Sequence, residues 1–533
     1  MPDSNAPRSV KTVSRPLVTL VVSMLFANGL VVANRALTPD DRSPSGVGTV
    51  AAGTPEDPDA PSVPLPDGDR RPGGDQTGAV GASSNIGQRI DTPRDTIEID
   101  ESVAAPGVTD DTIEVVYYWK GERTQTSPYL NNTNAEGQNL DESIAFMRYI
   151  DYINAHDGDG TTFMGIPIRL HGRKLKGTVV APPGNANGGY AYGQMAERIA
   201  SELKPFAAIA AHGGLSTYVC ERLAEEGIHN LATYDLGGVG GSLVRRTDGY
   251  CTPAGMSWER QVLQTIRFLS QQKSTRTTLG ADRVYGVIYS VYPGLSDVGP
   301  AMVGKLRAAG IPIAEVARLP DDLATAQQQA PFIIARMRSA GVNTLIMPDA
   351  GAPLNITHAA QAAQYYPDYF VWPCSGTDVT AMVRLFNAAQ WARASGLTCY
   401  DREFNPDLTN NDKARRTEWW RAYQEMAPGK QPPAQAPLVY AGLAQLIAGV
   451  SNAGRDLTVS SFRAGLDSVK PYRYDAIDGR TSDPTNMLVT LGTPDRSAIG
   501  DAAFLRWDPT AREEGGAQGA YRYPEDRRYP TGK

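Results

Sequence analysis

Cysteine is scarce in this chain and appears late. The 533 residues hold four, Cys220, Cys251, Cys374 and Cys399. None precedes Cys220, which excludes lipid attachment at a cysteine beside an N-terminal export signal. No CxxC or Cys/His spacing suggests zinc. The five histidines are scattered, with no HExxH and no close pair. No G-x-S-x-G elbow exists, because Gly214-Leu215-Ser216-Thr217-Tyr218 lacks the closing glycine. There is no phosphate loop ending in Gly-Lys-Ser/Thr, and no G-x-G-x-x-G follows the first expected strand. These gaps leave nothing that argues for an enzyme, a metal or a cofactor. A basic stripe is missing as well: the formal net charge is −7, and without clustered Lys and Arg a nucleic-acid partner is not expected.

What is present begins with an export signal. Arg8, Lys11 and Arg15 lead into the apolar run "LVTLVVSMLFANGLVVA" at 17–33, the charge-then-apolar order of a secretory signal. Val31, Val32 and Ala33 stand at a plausible cleavage point. The rival reading is an uncleaved anchor, although the run is shorter than the roughly 20 residues a membrane span prefers. Residues 34–107 carry about ten prolines, many Asp and Gly, and no aromatic residue; such a segment cannot bury enough surface to offset its ordering entropy. As a flexible linker it spans on the order of 50 Å. An exported chain with an even cysteine count favours disulfides. Of the three connectivities, pairing of sequence neighbours, Cys220 with Cys251 and Cys374 with Cys399, is the one expected.

From residue 112 strands and helices alternate. "TIEVVYYW" (112–119), "IPIRLHG" (166–172), "FAAIAA" (206–211) and "HNLATYD" (229–235) read as strands, with helices at 140–155, 191–203 and 216–227 between them. After Cys251 a second series follows, with strands "RVYGVIYS", "IPIAEVARL", "VNTLIMP" and "DYFVWP". Strands separated by helices imply parallel sheets covered on both faces, and two series imply two doubly wound lobes. Helices are expected at 417–427, 437–454 and 459–469, then strands at 487–492 and 502–508. The stretch after Asp508 reads as polar and peripheral.

In open α/β sheets, ligands bind beyond the carboxyl ends of strands. "HGGLST" stands at such an end, where a helix begins. Free N–H groups and the positive end of the helix dipole favour an anion there, for example a carboxylate. The competing role for Ser216 is to cap the helix.

The segments "GVTDDTIEVVYYW", "ESIAFMRYIDYINAHDG", "GIPIRL", "DRVYGVIY" and "VYAGLAQLIAGVSNAG" closely resemble the branched-chain amino-acid-binding type of ABC-transporter substrate-binding protein, in order as well as in motif. The resemblance implies a type I periplasmic-binding fold, α/β, with two doubly wound parallel-sheet lobes, three crossovers and a ligand cleft between them. Lobe 1 is expected at 108–250 and 395–470, lobe 2 at 251–394 and 471–510, and a polar tail at 511–533. By the same resemblance, Ser216 and Thr217 hold a ligand carboxylate, and Ala232 and Thr233 follow the next strand. Second-lobe contacts map to Tyr289 and Tyr292, to Asp349 and Ala350, and to Ser375. Where amino-acid binders usually place an acid to meet the ammonium, this chain has Ser375. Asp349 is then either the substitute acid or a turn-forming residue. Trp119, Trp372 and the tyrosines either stack on a ring or cover an aliphatic chain, or belong to the core. The expected function is an exported solute-binding protein that delivers a small polar molecule, an amino acid or related compound, to an ABC permease, with membrane contact only through the N-terminal segment. A tethered sensor of the same fold is the second expectation, and an enzyme on this fold the third.

Overall fold

Strand Thr112–Tyr118 (β1) is apolar along nearly its whole length and buried from Val115 to Tyr118, as suits a central strand covered on both faces. The computed structural model of the chain describes residues 105–118, 142–181, 189–210, 216–233, 240–253, 255–271, 280–291, 295–320, 323–349, 351–401, 411–430, 432–433, 436–493, 495–512, 518–525 and 527–530; the expected export segment and most of the expected linker lie outside them.

Helix Glu142–Ala155 follows β1. Its Phe146, Tyr149, Ile150 and Ile153 recur at helical spacing and are buried against the sheet. A short hairpin, Thr162–Phe163 (β2) and Ile166–Pro167 (β3), precedes Lys174–Val180 (β4). After helix Gly189–Arg198 come Ala207–Ala210 (β5), helix Ser216–Ala224, His229–Thr233 (β6) and Cys251–Pro253 (β7). The second strand of this lobe is therefore β4, where "IPIRLHG" was expected. β4 is an edge strand exposed on one face, so its apolar signal is thin.

The second lobe repeats the scheme. Helix Trp258–Gln271 leads to Tyr285–Val291 (β8), Ile313–Pro320 (β9), Thr344–Met347 (β10), Asp368–Val371 (β11) and Ala394–Thr398 (β12). Helices Leu295–Ala308, Leu323–Ser339 and Gly351–Ala362 intervene. The first sheet has the order β4-β1-β5-β6-β7 and the parallel part of the second β9-β8-β10-β11-β12. In each sheet, counting its own strands, the order is 2-1-3-4-5, so both lobes have a topological switch point between strands 1 and 3.

Beyond β12 the chain returns to the first lobe. Helices Glu418–Met426, Ala436–Ala453 and Val459–Asp467 share one core with Phe146, Tyr149 and Ile153. Helix Ala436–Ala453 is apolar and long enough to cross a membrane, but 78% of it is buried within the protein, which makes it a core helix. It lies close to Val459–Asp467: a Cβ on Gly465 would stand 2.3 Å from the Gly449 carbonyl oxygen, so only glycine permits this approach. A small sheet follows, Tyr472–Asp475 (β13), Gly479–Thr481 (β14) and Met487–Val489 (β15). Tyr474, Met487 and Val489 still belong to the first-lobe core, so the last crossing comes after Val489 and not near residue 470.

Asp501–Arg512 (β16) pairs antiparallel with β12, and Gln518–Arg522 (β17) and Arg528–Pro530 (β18) pair with β16. The expected polar tail thus completes the second sheet. Its apolar residues are few but placed inward: Tyr521 is buried edge to face against Trp507 of β16 at 5.2 Å, and Trp391 donates to the Tyr521 hydroxyl at 3.1 Å.

Both disulfides form between the expected neighbours. Cys220–Cys251 joins helix Ser216–Ala224 to β7, and Cys374–Cys399 joins the turns after β11 and β12, with Cα separations of 5.8 and 5.4 Å. The second closes a 25-residue separation, a loop whose cross-link removes about 3 kcal/mol of unfolded-state freedom. The double substitution Cys374→Ala/Cys399→Ala is expected to lower stability by about 2–4 kcal/mol, read as a fall in the denaturation midpoint, with a steeper slope as the released unfolded chain exposes more surface.

His229 on β6 is fully buried among Phe206, Tyr250 and Phe462, with ring centroids at 5.4, 4.7 and 4.5 Å, and neither of its ring nitrogens has a hydrogen-bond partner among the described residues. Burial, then the nearby Arg463 and Arg496 charges, push its pKa well below the usual 6.5. The native state therefore holds a neutral ring while the unfolded chain takes up a proton below that value, so this stability is present above pH 6.5 and is lost on acidification. Moving from neutrality to one unit below 6.5 is expected to cost on the order of 1 kcal/mol through this residue. His229→Phe is expected to remove that part of the slope in a pH series of melting temperatures; an unchanged slope would refute the assignment.

Candidate functional site

The two switch points put the ends of β1 and β5 in one lobe, and of β8 and β10 in the other, where ligands bind in open α/β sheets. Most residues expected to contact a ligand follow these or the adjacent strands. Ser216 and Thr217 are the first two residues of the helix after β5, and Ala232 and Thr233 are the last two of β6. Trp119, Tyr292 and Ala350 lie outside the described residues.

The remaining three have their polar atoms engaged within the second lobe. Asp349, between β10 and helix Gly351–Ala362, is fully buried. One carboxylate oxygen accepts from the Ser290 hydroxyl at 2.8 Å and from the Gly351 and Ala352 amides at 3.0 and 2.8 Å. The other accepts from the Ser290 amide at 3.0 Å. Burial raises its pKa against the opposing pull of these donors. Asp349 thus ties the end of β8 to the start of a helix, as a turn-forming residue does. Tyr289 is likewise buried, packed on Gly299 of helix Leu295–Ala308, and its hydroxyl accepts from Arg318 at 3.1 Å. Of the two readings left open for the tyrosines, Tyr289 takes the core one. Ser375 is fully buried: its hydroxyl donates to the Trp372 carbonyl at 2.9 Å and lies 2.6 Å from the Thr377 hydroxyl. It shapes the turn after β11.

Sequence reasoning missed the residues that hold the lobes' connections. Where the chain leaves β7, Gln445 of the core helix accepts from Thr252 at 2.6 Å and donates to the Pro253 carbonyl at 2.7 Å. Next, Gln261 donates to the Met256 carbonyl and accepts from the Trp372 indole, both at 2.8 Å; Trp372 too is core. The last crossing lies alongside the first, since the Ile499 amide reaches the Gly255 carbonyl at 3.2 Å and Ser257 and Ser497 bond at 3.0 Å. Asp378 binds the amides of Cys374 and Gly376 at 2.9 and 3.1 Å and the Thr398 hydroxyl at 2.9 Å, and burial pushes its pKa up to about 6. The Ser-Gly-Thr-Asp run between a strand and a helical turn was the available signal for Asp378. The glutamines gave none, being single polar positions on apolar helix faces. Among the described residues no group of three or more His, Cys, Asp or Glu is placed to hold a metal ion.

Comparison with known proteins agrees with this architecture. The sequence model of the family described as periplasmic binding protein matches residues 143–516. No curated protein is significantly similar in sequence. Among solved structures, the Leu-, Ile-, Val-, Thr- and Ala-binding protein of Brucella ovis in its closed conformation is 11% identical, with 79% of this chain and 96% of that one covered and a TM-score of 0.52. A substrate-binding periplasmic protein of Ralstonia solanacearum is 14% identical over 77% and 100% of the two chains, at 0.52. A solute-binding protein of an ABC transporter from Rhodopseudomonas palustris BisB5, solved with 3,4-dihydroxybenzoic acid, is 14% identical over 80% and 99%, at 0.51. At such identities the likeness concerns the fold. With the family match extending over most of the folded region, the chain belongs to the periplasmic binding protein family, with the type I fold of these structural neighbours.

Proposed function

We propose that this protein captures a small molecule bearing a carboxylate, an amino acid or a related organic acid, between its lobes and delivers it to an ABC permease on the outer face of the cytoplasmic membrane. The observation that carries this reading is an asymmetry between the two switch points. In the second lobe, the helix that starts at Gly351 has its first amides satisfied from within by Asp349. The equivalent helix of the first lobe starts at Ser216, and the residues before it, Ala211-His212-Gly213-Gly214-Leu215, include no acid. Its amino end is thus the one left to an anion supplied from outside. Ser216 and Thr217 are the residues proposed to hold that anion, with Ala232, Thr233, Trp119, Tyr292 and Ala350 around it.

Two structural neighbours are consistent with carboxylate capture, since the Brucella ovis protein is described as binding amino acids and the Rhodopseudomonas palustris protein was solved with a hydroxylated benzoic acid. Because Asp349 is engaged inside its lobe, an ammonium on the ligand is not required, and aromatic or aliphatic acids fit this proposal as well as amino acids do. Binding needs no cofactor. An uncleaved N-terminal segment without a permease partner would favour the tethered-sensor reading instead.

A thermal-shift screen of the purified protein against amino acids, hydroxybenzoates, short aliphatic acids and the corresponding amides tests the proposal. A carboxylate at 100 times its dissociation constant is expected to add about 2.7 kcal/mol, a rise of several degrees, and the matching amide much less. Ser216→Ala is expected to reduce the shift. Equal shifts with acid and amide, or none with any acid, would overturn the reading.

Asp349→Asn separates the clamp from a ligand charge. It is expected to lower stability by about 1–3 kcal/mol through weakened buried hydrogen bonds, while changing the affinities for acids with and without an ammonium group by the same factor. A selective loss for ammonium-bearing ligands would return Asp349 to the ligand site.

A further inference from the structure

The last strand of the chain places a cation in the seam between the lobes. Arg528 at the start of β18 is buried, and its guanidinium is held on all sides. Nε donates to the Asp501 carboxylate at 2.8 Å, and the two terminal nitrogens donate to the Tyr400 carbonyl at 2.9 Å, the Cys399 carbonyl at 2.8 Å and the Asp501 carbonyl at 3.3 Å. Cys399 and Tyr400 belong to the second crossing, directly after β12 and beside the Cys374–Cys399 bond. Asp501 ends the third crossing, at the start of β16. The same carboxylate also accepts from the Leu488 amide of β15 at 3.1 Å and pairs with Arg473 of β13, both on the first-lobe side of the seam. β18 further touches the helix entered from the first crossing, where Gln264 donates to the Tyr529 carbonyl and Phe268 packs edge-on against Tyr529 at 5.8 Å.

A buried guanidinium is tolerated only when its charge and its donors are matched, and here the matching groups come from two crossings. Rotation of one lobe against the other has to be absorbed by backbone changes in the crossings. A planar group that binds two consecutive carbonyls of one crossing and both the carboxylate and the carbonyl of another makes them move together. β18 lies beyond the family match, which ends at residue 516, so this contact comes from the chain's own C-terminal stretch.

We propose that Arg528 is a hinge-positioning residue, which couples the second and third crossings and thereby sets the range of lobe opening. The proposal rests on the two-lobe capture reading, but its test uses the ligand-free protein, so that a failure to find a ligand and a failure of the hinge remain distinguishable. Distance distributions between spectroscopic labels on unnatural side chains at Glu202 in the first lobe and Phe332 in the second, both exposed, report opening directly. Arg528→Met is expected to give a distribution about twofold broader than the parent's, or one shifted to a new mean. Arg528→Lys keeps a cation for Asp501 but cannot fork to the carbonyls, and is expected to broaden it by less. A role confined to stability would lower the melting temperature and leave the distribution unchanged, which would overturn the proposal; so would loss of folding in both variants, which would place Arg528 in the core framework.

Discussion

Three short crossings of the chain carry the relation between the two lobes, and the protein fastens them to one another as well as to the lobes. The first lies against the third through the Gly255 carbonyl and the Ser257–Ser497 contact. The second is fixed by the Cys374–Cys399 bond and by Asp378, which gathers the turns after β11 and β12. Because the first lies against the third, and Arg528 ties the start of the second to the end of the third, the lobes are joined by a fastened seam instead of three independent linkers. Each sheet can then be rigid, as doubly wound sheets are, while the freedom needed to admit a ligand is confined to the seam.

Buried carboxylates do much of this fastening. Asp349, Asp378 and Asp501 are each fully buried, and each joins segments distant in sequence. Amides and hydroxyls bond Asp349 and Asp378, and burial raises both pKa values. Asp501 is held by two arginines. The difference follows from position. The first two sit at the starts of helical segments, where several amides converge on one oxygen. Asp501 stands in the seam, where strands of both lobes pass and no helix end supplies donors, so full cations take their place.

Much of the fold was legible because its signals are local and repeated. Apolar strands alternating with amphipathic helices announced two parallel sheets, and the segments around Thr112, Glu142 and Asp282 resembled those of the family now matched. The misses have a shared cause. β4 and β17 are edge strands with little apolar sequence, and β12 is the short, mostly small-residue run Ala394–Thr398, in which Gly396 lies against Val371. None of these carries the period that marks a strand from sequence alone. The tail was misjudged because its composition is polar, although Tyr521 and Arg528 are what the second sheet uses.

The strand ends of the candidate site are readable in the sequence and the partners of the side chains there are not, for a physical reason. Topology determines where strand ends converge, and a strand end can be read from sequence. Whether a polar side chain there faces a ligand or its own backbone depends on which donors lie within about 3 Å, and those donors come from other strands. Asp349 illustrates this: the residue whose hydroxyl and amide bind its carboxylate is Ser290, 59 positions earlier. A carboxylate that satisfies a helix end internally in one lobe, and the lack of any acid before the matching helix in the other, together say more about the ligand than either loop does alone.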